Sequence, residues 1–134
     1  MFYLLNILIQ MKILLNNHTL FKTLRPFNDI GFVPTMGGIH EGHISLIKRS
    51  IKSNNKTIVS IFVNPKQFNN KKDFNNYPKN HKKDLSILKS LNVDYVYLPK
   101  TNNIYDSKRT KKFKLKKRIR YCVLNTEKVI LRVC

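Results

Sequence analysis

Three short apolar stretches, separated by more polar ones, organise residues 31–98 of this chain. Residues 31–35 and 57–63 are rich in apolar and β-branched side chains, which is typical of strands that are covered on both faces of a parallel sheet. Residues 93–98 have the same character and stop at Pro99, which cannot donate to a sheet. The pattern therefore predicts three strands.

Two amphipathic helices are predicted between these strands, because apolar side chains recur there at helical spacing. Asn54 is expected to end the first helix, and Asn80 is expected to cap the start of the second. Residues 66–79 are polar and are predicted to form a loop. The order strand–helix–strand–helix–strand predicts an α/β fold with a parallel sheet. The two apolar stripes are Ile44, Ile47, Ile51 and Leu85, Leu88, Leu91.

Residues 33–46 read VPTMGGIHEGHISL and lie where the first strand leads into the first helix. The start of a helix attracts anions, because its first N–H groups are unpaired and its dipole is positive there. The glycines have no Cβ, so a phosphate chain can approach the backbone. His40 and His43, three residues apart, can lie on one side of the first turn and donate hydrogen bonds. The segment therefore predicts a nucleotide phosphate site.

The same segment resembles the PTMG-x-[LI]-H-x-G-H signature of pantothenate synthetase (pantoate–β-alanine ligase), a family of the H-x-G-H nucleotidyl-transferase superfamily. Residues 60–68, SIFVNPKQF, resemble the second strand and substrate loop of that family. Residues 73–99 resemble its D-[FL]-x-x-YPR-T-x-x-x-D helix and the V-D-x-V-F-x-P strand that follows. The resemblance covers roughly residues 12–108 and implies an incomplete Rossmann-like parallel sheet.

This resemblance implies an enzyme that condenses pantoate with β-alanine in an ATP-dependent reaction, through a pantoyl-adenylate intermediate. It implies that His43 and His40 are catalytic, and that Gln67 and Met36 contact pantoate and β-alanine. Donors aimed at the phosphate oxygens are the expected catalytic device, and the amides of Met36 to Gly38 are expected to assist the histidines. Mg²⁺ is expected to share the pyrophosphate charge, with no metal ligand assigned in this chain. The residues implied to bind ATP are Met36, Gly37, Gly38, Ile39, His40, Glu41, Gly42 and His43.

Two further ATP-binding segments of the family, G-E-K-D and S-S-R, do not occur in this sequence. The chain is therefore expected to hold half of a site and to be inactive alone. The alternatives are a non-catalytic pseudogene fragment and another H-x-G-H nucleotidyltransferase, against which the NPKQF block argues.

The net charge of +19 also allows a basic nucleic-acid-binding protein. However, residues 108–134 hold eleven of the 26 Lys and Arg residues, and the others are spread without clustering. The only aromatic side chains in this tail are Phe113 and Tyr121, so the interleaved aromatics of a nucleic-acid site are not present. Small-molecule substrates are the predicted partners, and the family resemblance implies a homodimer.

The N-terminal sequence MFYLLNILIQMKILL is apolar but interrupted by polar residues, and a bilayer span needs about 20 apolar residues. It also lacks the basic start of a signal peptide. Met11 followed by Lys12 looks like a natural start for this family, so residues 1–11 are predicted to be an upstream extension, with an amphipathic first segment as the alternative. Cys122 and Cys134 suit neither a zinc site nor a disulfide framework, which fits a reducing cytoplasm.

Residues 12–107 are predicted to form the partial nucleotide-binding domain, and residues 108–134 a basic tail that is disordered or out of frame. Permitted codons for residues 118–134, read with the first two bases skipped, encode DKILCAKYRKGHFEGV. This string resembles the family's next block, Leu-x-[GA]-x-x-R-x-GHF-x-GV. The lysine-rich run before it implies repeated adenines, so a frame change near Lys116–Arg118 is predicted.

Overall fold

Five parallel strands form one sheet in the computed structural model, which describes residues 10–105 and strand residues 119–121. The order across the sheet is β1-β4-β3-β2-β5, and each neighbouring pair runs parallel. The predicted parallel sheet is therefore confirmed, and three of its strands are those the apolar pattern indicated. The strands are β1 (Lys12–Leu14), β2 (Ile30–Thr35), β3 (Lys56–Ile61), β4 (Tyr95–Tyr97) and β5 (Ile119–Tyr121).

Both predicted helices are present. The first ends at its C-cap Asn54, as expected, and the second starts at Asn80, whose side chain accepts a hydrogen bond from the Lys83 N–H at 3.1 Å. None of the described helices is both long and apolar enough to cross a membrane. The helices are α1 (Asn17–Leu24), α2 (Glu41–Ser53), α3 (Lys71–Asn76), α4 (His81–Ser90) and α5 (Thr101–Ile104), with a 3₁₀ turn at Pro65–Gln67.

Helices cover both faces of the sheet. Alternate strand residues point to opposite faces, so each face presents apolar side chains to the helices that pack on it. On one face, Ile47 of α2 and Leu88 of α4 are fully buried and pack with Val59 of β3. On the other face, Leu20 of α1 packs against a second buried cluster that includes Ile58 of β3. The sheet therefore lies between two layers of helices, in a three-layer α/β arrangement.

Two strands are shorter than the apolar pattern predicted. β3 ends at Ile61, and the N–H of the next residue, Phe62, donates to the Thr35 carbonyl at 3.0 Å at the end of the β2–β3 pair. β4 begins at Tyr95, because the amide of Val93 bonds the Leu88 carbonyl at the end of α4 instead of a strand. Apolar composition alone does not reveal such boundaries, since Val93 is buried without being in a strand.

Several elements were not predicted. β1 and α1 lie in residues that the apolar pattern left unassigned, and β1 lies at the edge of the sheet beside β4. The prediction of a loop over residues 66–79 is wrong in part, because α3 lies within it. The Asn70 side chain caps α3 by accepting the Lys72 N–H at 2.9 Å. Such a short, exposed helix is set by its cap and has no apolar stripe to announce it.

In the tail that was predicted to be disordered or out of frame, Ile119–Tyr121 pair in parallel with Ile30–Phe32 of β2. The rest of that tail, and residues 1–9 of the predicted upstream extension, lie outside the described residues.

The amino and carboxyl ends of the parallel strands form two opposite sides of the sheet, called its amino and carboxyl edges, and different residues lie at each. At the amino ends of β3 and β4, the Asp94 carboxylate accepts the Thr57 N–H at 2.9 Å and forms an ion pair with Lys56 at 2.7 Å. The hydrogen bond that the Lys56 ammonium donates to Asp94 Oδ1, together with the Asp94 charge, raises the pKa of Lys56 above its ordinary value. At the carboxyl ends of β2 and β3 lie the glycine–histidine segment and the 3₁₀ turn, so the predicted site residues gather at one edge.

Candidate nucleotide-binding site

The segment after β2 turns sharply through two glycines. Gly37 and Gly38 have φ values of 85° and 65°, which is the left-handed region that glycine adopts without steric cost. The Thr35 hydroxyl donates to the Ser60 carbonyl at 2.9 Å and accepts the Gly37 N–H at 3.2 Å. The turn is therefore fixed to β3 at its first residue.

A buried carboxylate holds the next two residues of this turn. Asp84 of α4 is 3% exposed; its Oδ2 accepts the Gly38 N–H at 3.1 Å and its Oδ1 accepts the Ile39 N–H at 2.9 Å. The expectation that the amides of Met36 to Gly38 face a phosphate is therefore wrong for Gly37 and Gly38. Their N–H groups are already paired inside the protein.

His40 is the N-cap of α2, with extended backbone dihedrals, and its Nδ1 accepts the Gly42 N–H at 3.1 Å. A neutral imidazole that accepts at Nδ1 carries its proton on Nε2, so this contact assigns the tautomer. The exposed ring of His40 therefore presents an Nε2–H donor to solvent. The motif predicted a hydrogen-bond donor at His40, whereas its capping role was not predicted.

The ring of His43 lies beside that of His40, with centroids 4.1 Å apart and planes inclined by 44°. The two histidines are thus brought together on the first turn of α2, as their spacing predicted. His43 is half-buried, and its Nδ1 is buried with no hydrogen-bond partner in the described residues. Burial lowers the pKa of His43, the neighbouring His40 lowers it further, and the Asp84 carboxylate opposes both effects.

We expect His43 to titrate below its ordinary value of 6.5 in a proton NMR titration. The folded chain favours the neutral ring, so the stability linked to this group is complete above the unfolded-state pKa of about 6.5. It is lost as the pH falls from there through the lowered pKa. Comparison of urea midpoints across this range, with His43→Ala as control, checks the linkage. A His43 resonance that titrates above 6.5 would contradict it.

The open end of α2 retains backbone donors. The first N–H groups of any helix lack intrahelical acceptors, and here the side chain of His40 takes up only that of Gly42. The amides of Glu41 and His43 have no hydrogen-bond acceptor within residues 10–105 and lie at the positive end of the helix dipole. Glu41 is exposed in this first turn, where its negative charge is favourable. An anion that reaches this end meets helix amides in addition to the two rings.

The second predicted block, NPKQF, forms the 3₁₀ turn that follows β3. Asn64 caps this turn by accepting the Lys66 N–H at 3.0 Å, and the Tyr105 hydroxyl donates to the same Asn64 oxygen at 2.6 Å. The Lys66 ammonium lies 4.0 Å from the centre of the Tyr105 ring. Gln67 is exposed at the end of the turn and makes no side-chain hydrogen bond within residues 10–105. Its side chain is therefore available to a ligand.

The predicted site residues differ in how far they are exposed. Met36 is half-buried beside the glycine turn, whereas the Ile39 side chain is 7% exposed and packs into the core. Only the backbone of Ile39 lies in the turn, and its N–H is occupied by Asp84. Gln67 lies on the loop after the neighbouring strand, at the same edge of the sheet, without a hydrogen bond to the histidine pair in the described region.

Three residues that shape this edge were not singled out from the sequence: Thr35, Asp84 and Tyr105. Asp84 occupies the last position of the D-[FL]-x-x-YPR-T-x-x-x-D pattern, so a signal existed, but nothing local explains why a carboxylate is needed there. Tyr105 lies outside every quoted motif. No group of three or more His, Cys, Asp or Glu suited to a metal ion occurs in the described part of the chain.

A sequence profile described as Pantoate-beta-alanine ligase matches residues 10–129, most of the chain. The chain belongs to this family. Pantoate–β-alanine ligases are enzymes, and the match extends beyond residue 108, where the quoted motifs end.

Curated relatives agree with this assignment. Pantothenate synthetase of Pseudothermotoga lettingae is 52% identical over 84 residues, which make up 63% of this chain and 30% of that protein. Pantothenate synthetase of Helicobacter pylori strain Shi470 is 51% identical over 86 residues, or 64% of this chain and 31% of that protein. The chain thus matches less than a third of the length of these pantothenate synthetases.

Solved structures of the family share the fold. The pantoate–β-alanine ligase of Francisella tularensis, crystallised with beta-gamma ATP and β-alanine, has a TM-score of 0.69 at 45% identity, over 72% of this chain and 38% of that one. The enzyme of Thermus thermophilus has a TM-score of 0.68 at 35% identity, over 73% and 35% of the two chains. The fold is therefore that of the pantothenate synthetases, over part of their length.

Proposed function

We propose that this chain supplies the phosphate-binding half of a pantoate–β-alanine ligase site. The observation that carries the proposal is the pair of imidazoles 4.1 Å apart at the start of α2, where the carboxyl end of β2 meets the helix dipole. An ATP phosphate at this point would contact the His40 Nε2–H, the His43 ring and the free amides of the first helical turn. Met36, Gly37, Gly38 and Ile39 form the wall of this site.

The proposed reaction has two steps. A pantoate carboxylate oxygen attacks the α-phosphorus of ATP and pyrophosphate leaves, which gives pantoyl adenylate. The amine of β-alanine then attacks the adenylate carbonyl and AMP leaves. Negative charge grows on the phosphate oxygens in the first step, where His40 and His43 are positioned to donate hydrogen bonds. Because the pKa of His43 is lowered, its ring acts as a neutral donor near neutral pH.

Gln67 is proposed to contact pantoate and β-alanine, with Met36 beside it. This proposal is supported by the exposed side-chain amide of Gln67, which lies on the 3₁₀ turn at the same edge of the sheet as the histidines. Asn64 and Tyr105 hold that turn in place, so the Gln67 backbone is preorganised without using its side chain.

Magnesium is not assigned to residues of this chain. Mg²⁺ in nucleotide sites is held by one or two carboxylates together with substrate phosphates. The one buried carboxylate at this edge, Asp84, uses both oxygens on backbone amides. Asp84 is therefore not available to hold Mg²⁺. A homodimer and a cytoplasmic location are proposed on family membership.

The test is ATP binding to the purified 134-residue chain, measured by isothermal titration calorimetry. We expect saturable binding that His43→Ala weakens about tenfold, since hydrogen bonds to charged groups are worth about 1.5–3 kcal/mol. His81→Ala is the matched control, because His81 is an exposed histidine in the first turn of another helix, α4. Absence of binding, or equal effects of the two substitutions, would refute the proposal.

We also propose that the chain alone makes no pantothenate, since the G-E-K-D and S-S-R segments do not occur in its sequence. The predicted frame change near Lys116–Arg118 remains a proposal, and β5 and the end of the family match both lie in the stretch it concerns. The DNA sequence through and beyond codon 134 decides it. A shifted frame that stops at once, or ligase activity from the isolated chain, would rule it out.

A further inference from the structure

We propose that Asp84 is a positioning residue of this site, whose buried carboxylate fixes the turn between β2 and α2 and thereby aims His40 and His43. The inference rests on the proposed phosphate-binding role of the two histidines. Asp84 itself is enclosed within the protein, at 3% exposure, so it acts through the turn.

The first support is the way the Asp84 charge is balanced. A buried carboxylate is costly unless it is paired or hydrogen-bonded. The Lys56–Asp94 ion pair lies at the amino ends of the strands and does not involve Asp84. Asp84 is instead satisfied by two successive backbone donors, Gly38 at 3.1 Å and Ile39 at 2.9 Å. Both oxygens are used, so rotation of the carboxyl group would break both contacts.

The second support is the fit between the turn and the carboxylate. A Cβ placed on Gly37 would lie 3.0 Å from Asp84 Oδ2 and 3.3 Å from Ile61 Cγ2, so the backbone approaches the carboxylate closely. The chain turns here through the positive φ values of Gly37 and Gly38, and the Gly38 N–H bonds the Asp84 carboxylate. The next side chain, Ile39, is buried in the core. The turn is thus held on both sides immediately before His40 begins α2.

The third support is that Asp84 links two elements far apart in sequence. It lies on α4, near the fully buried Leu88, and reaches the turn across 46 residues of sequence. Its charge is also felt at His43, where it opposes the lowering of the pKa by burial and by His40. One side chain therefore sets the shape of the turn and contributes to the electrostatics of the histidine pair.

Asp84→Asn in the full 134-residue chain tests this role. The Asn oxygen can accept one of the two amides, but its NH₂ group faces the other donor. We expect the Gly38 or Ile39 amide resonance to move in a ¹⁵N correlation spectrum, and the pKa of His43 to fall further because the opposing carboxylate is gone. We expect ATP to bind about tenfold or more weakly, from loss of the charged contact that shapes the site.

Asp94→Asn is the matched control. Asp94 also accepts a backbone N–H and carries an ion pair, but at the amino ends of the strands. We expect the Asp94→Asn substitution to lower the urea midpoint of unfolding while leaving the His43 titration and the ATP affinity unchanged. A merely structural role of Asp84 would make the two variants alike in these readouts.

Unchanged Gly38 and Ile39 resonances together with an unchanged His43 titration in Asp84→Asn would overturn the inference, as would equal changes in Asp94→Asn. If Asp84→Asn does not fold, the same spectra are recorded for Asp84→Glu. This variant keeps the negative charge but moves the carboxylate by one methylene group. Its Gly38 and Ile39 amides should then shift, and unshifted amides would overturn the inference. A wild-type chain that does not bind ATP refutes the proposed function, while the amide and His43 readouts still judge Asp84.

Discussion

Replacing His43 with alanine, in a chain completed by the remaining segments of the family, is expected to slow pantoyl-adenylate formation by about 10²-fold or more. The expected loss is large because the imidazole is half-buried and is held beside His40 at the start of α2. Such a donor needs no reorganisation when charge develops on the phosphate, and alanine leaves nothing in its place. The rate of pyrophosphate release with saturating ATP and pantoate measures the effect.

Two control variants test whether the effect on adenylate formation is specific to His43. Gln67→Ala should mainly raise the KM for pantoate or β-alanine, because the exposed Gln67 side chain is proposed to touch these substrates and not the phosphate. His81→Ala, on the surface of α4, should leave the rate of adenylate formation unchanged. An unaltered pyrophosphate-release rate in the His43 variant would show that the assignment is wrong.

Gly31→Ala is expected to cost the isolated chain about 2–3 kcal/mol of unfolding free energy, through overpacking and a lost buried hydrogen bond. A Cβ on Gly31 of β2 would lie 1.9 Å from Ser50 Oγ and 2.5 Å from Asn54 Nδ2, both on the α2 side of the contact. Ser50 is fully buried and its hydroxyl is 2.9 Å from the Thr57 hydroxyl. Either α2 moves away from the sheet or the Ser50–Thr57 hydrogen bond breaks. Urea unfolding followed by circular dichroism measures the loss.

Two variants separate this steric cost from other causes. Gly38→Ala places its Cβ in open space and is expected to cost about 1–2 kcal/mol, from the left-handed backbone alone. In a Ser50→Ala background, Gly31→Ala should cost less than in the wild type, because the nearest clashing atom is gone. An equal loss of unfolding free energy in both backgrounds would show that the cost of Gly31→Ala does not come from its contact with Ser50.

The parts of the fold that follow from near neighbours in sequence could be predicted. The stripe of Ile44, Ile47 and Ile51 specified α2, and Asn80 marked the start of α4, because amphipathic spacing and caps act within a turn or two. Strand boundaries were less accessible. Val93 is as apolar and buried as its neighbours in β4, yet its amide pairs with the end of α4. Only the path of the folded chain distinguishes these cases.

The histidine pair was also predictable, for the same reason. Residues at i and i+3 share one side of a helical turn, so His40 and His43 had to meet once the helix began there. The direction of the neighbouring amides was not predictable. The N–H groups of Gly37 and Gly38 were expected to face a phosphate, but their acceptors, Thr35 and Asp84, lie inside the protein.

The sequence by itself determined the parallel α/β fold, the two amphipathic helices, the histidine pair and the family, because each depends on spacing within a short segment. The tertiary structure decided which partners meet across long separations. Asp84 reaches Gly38 across 46 residues and Tyr105 reaches Asn64 across 41. Hydrogen-bond partners of this kind leave no periodic trace in the chain, since they depend on the packing of α4 and α5 beside the carboxyl edge of the sheet.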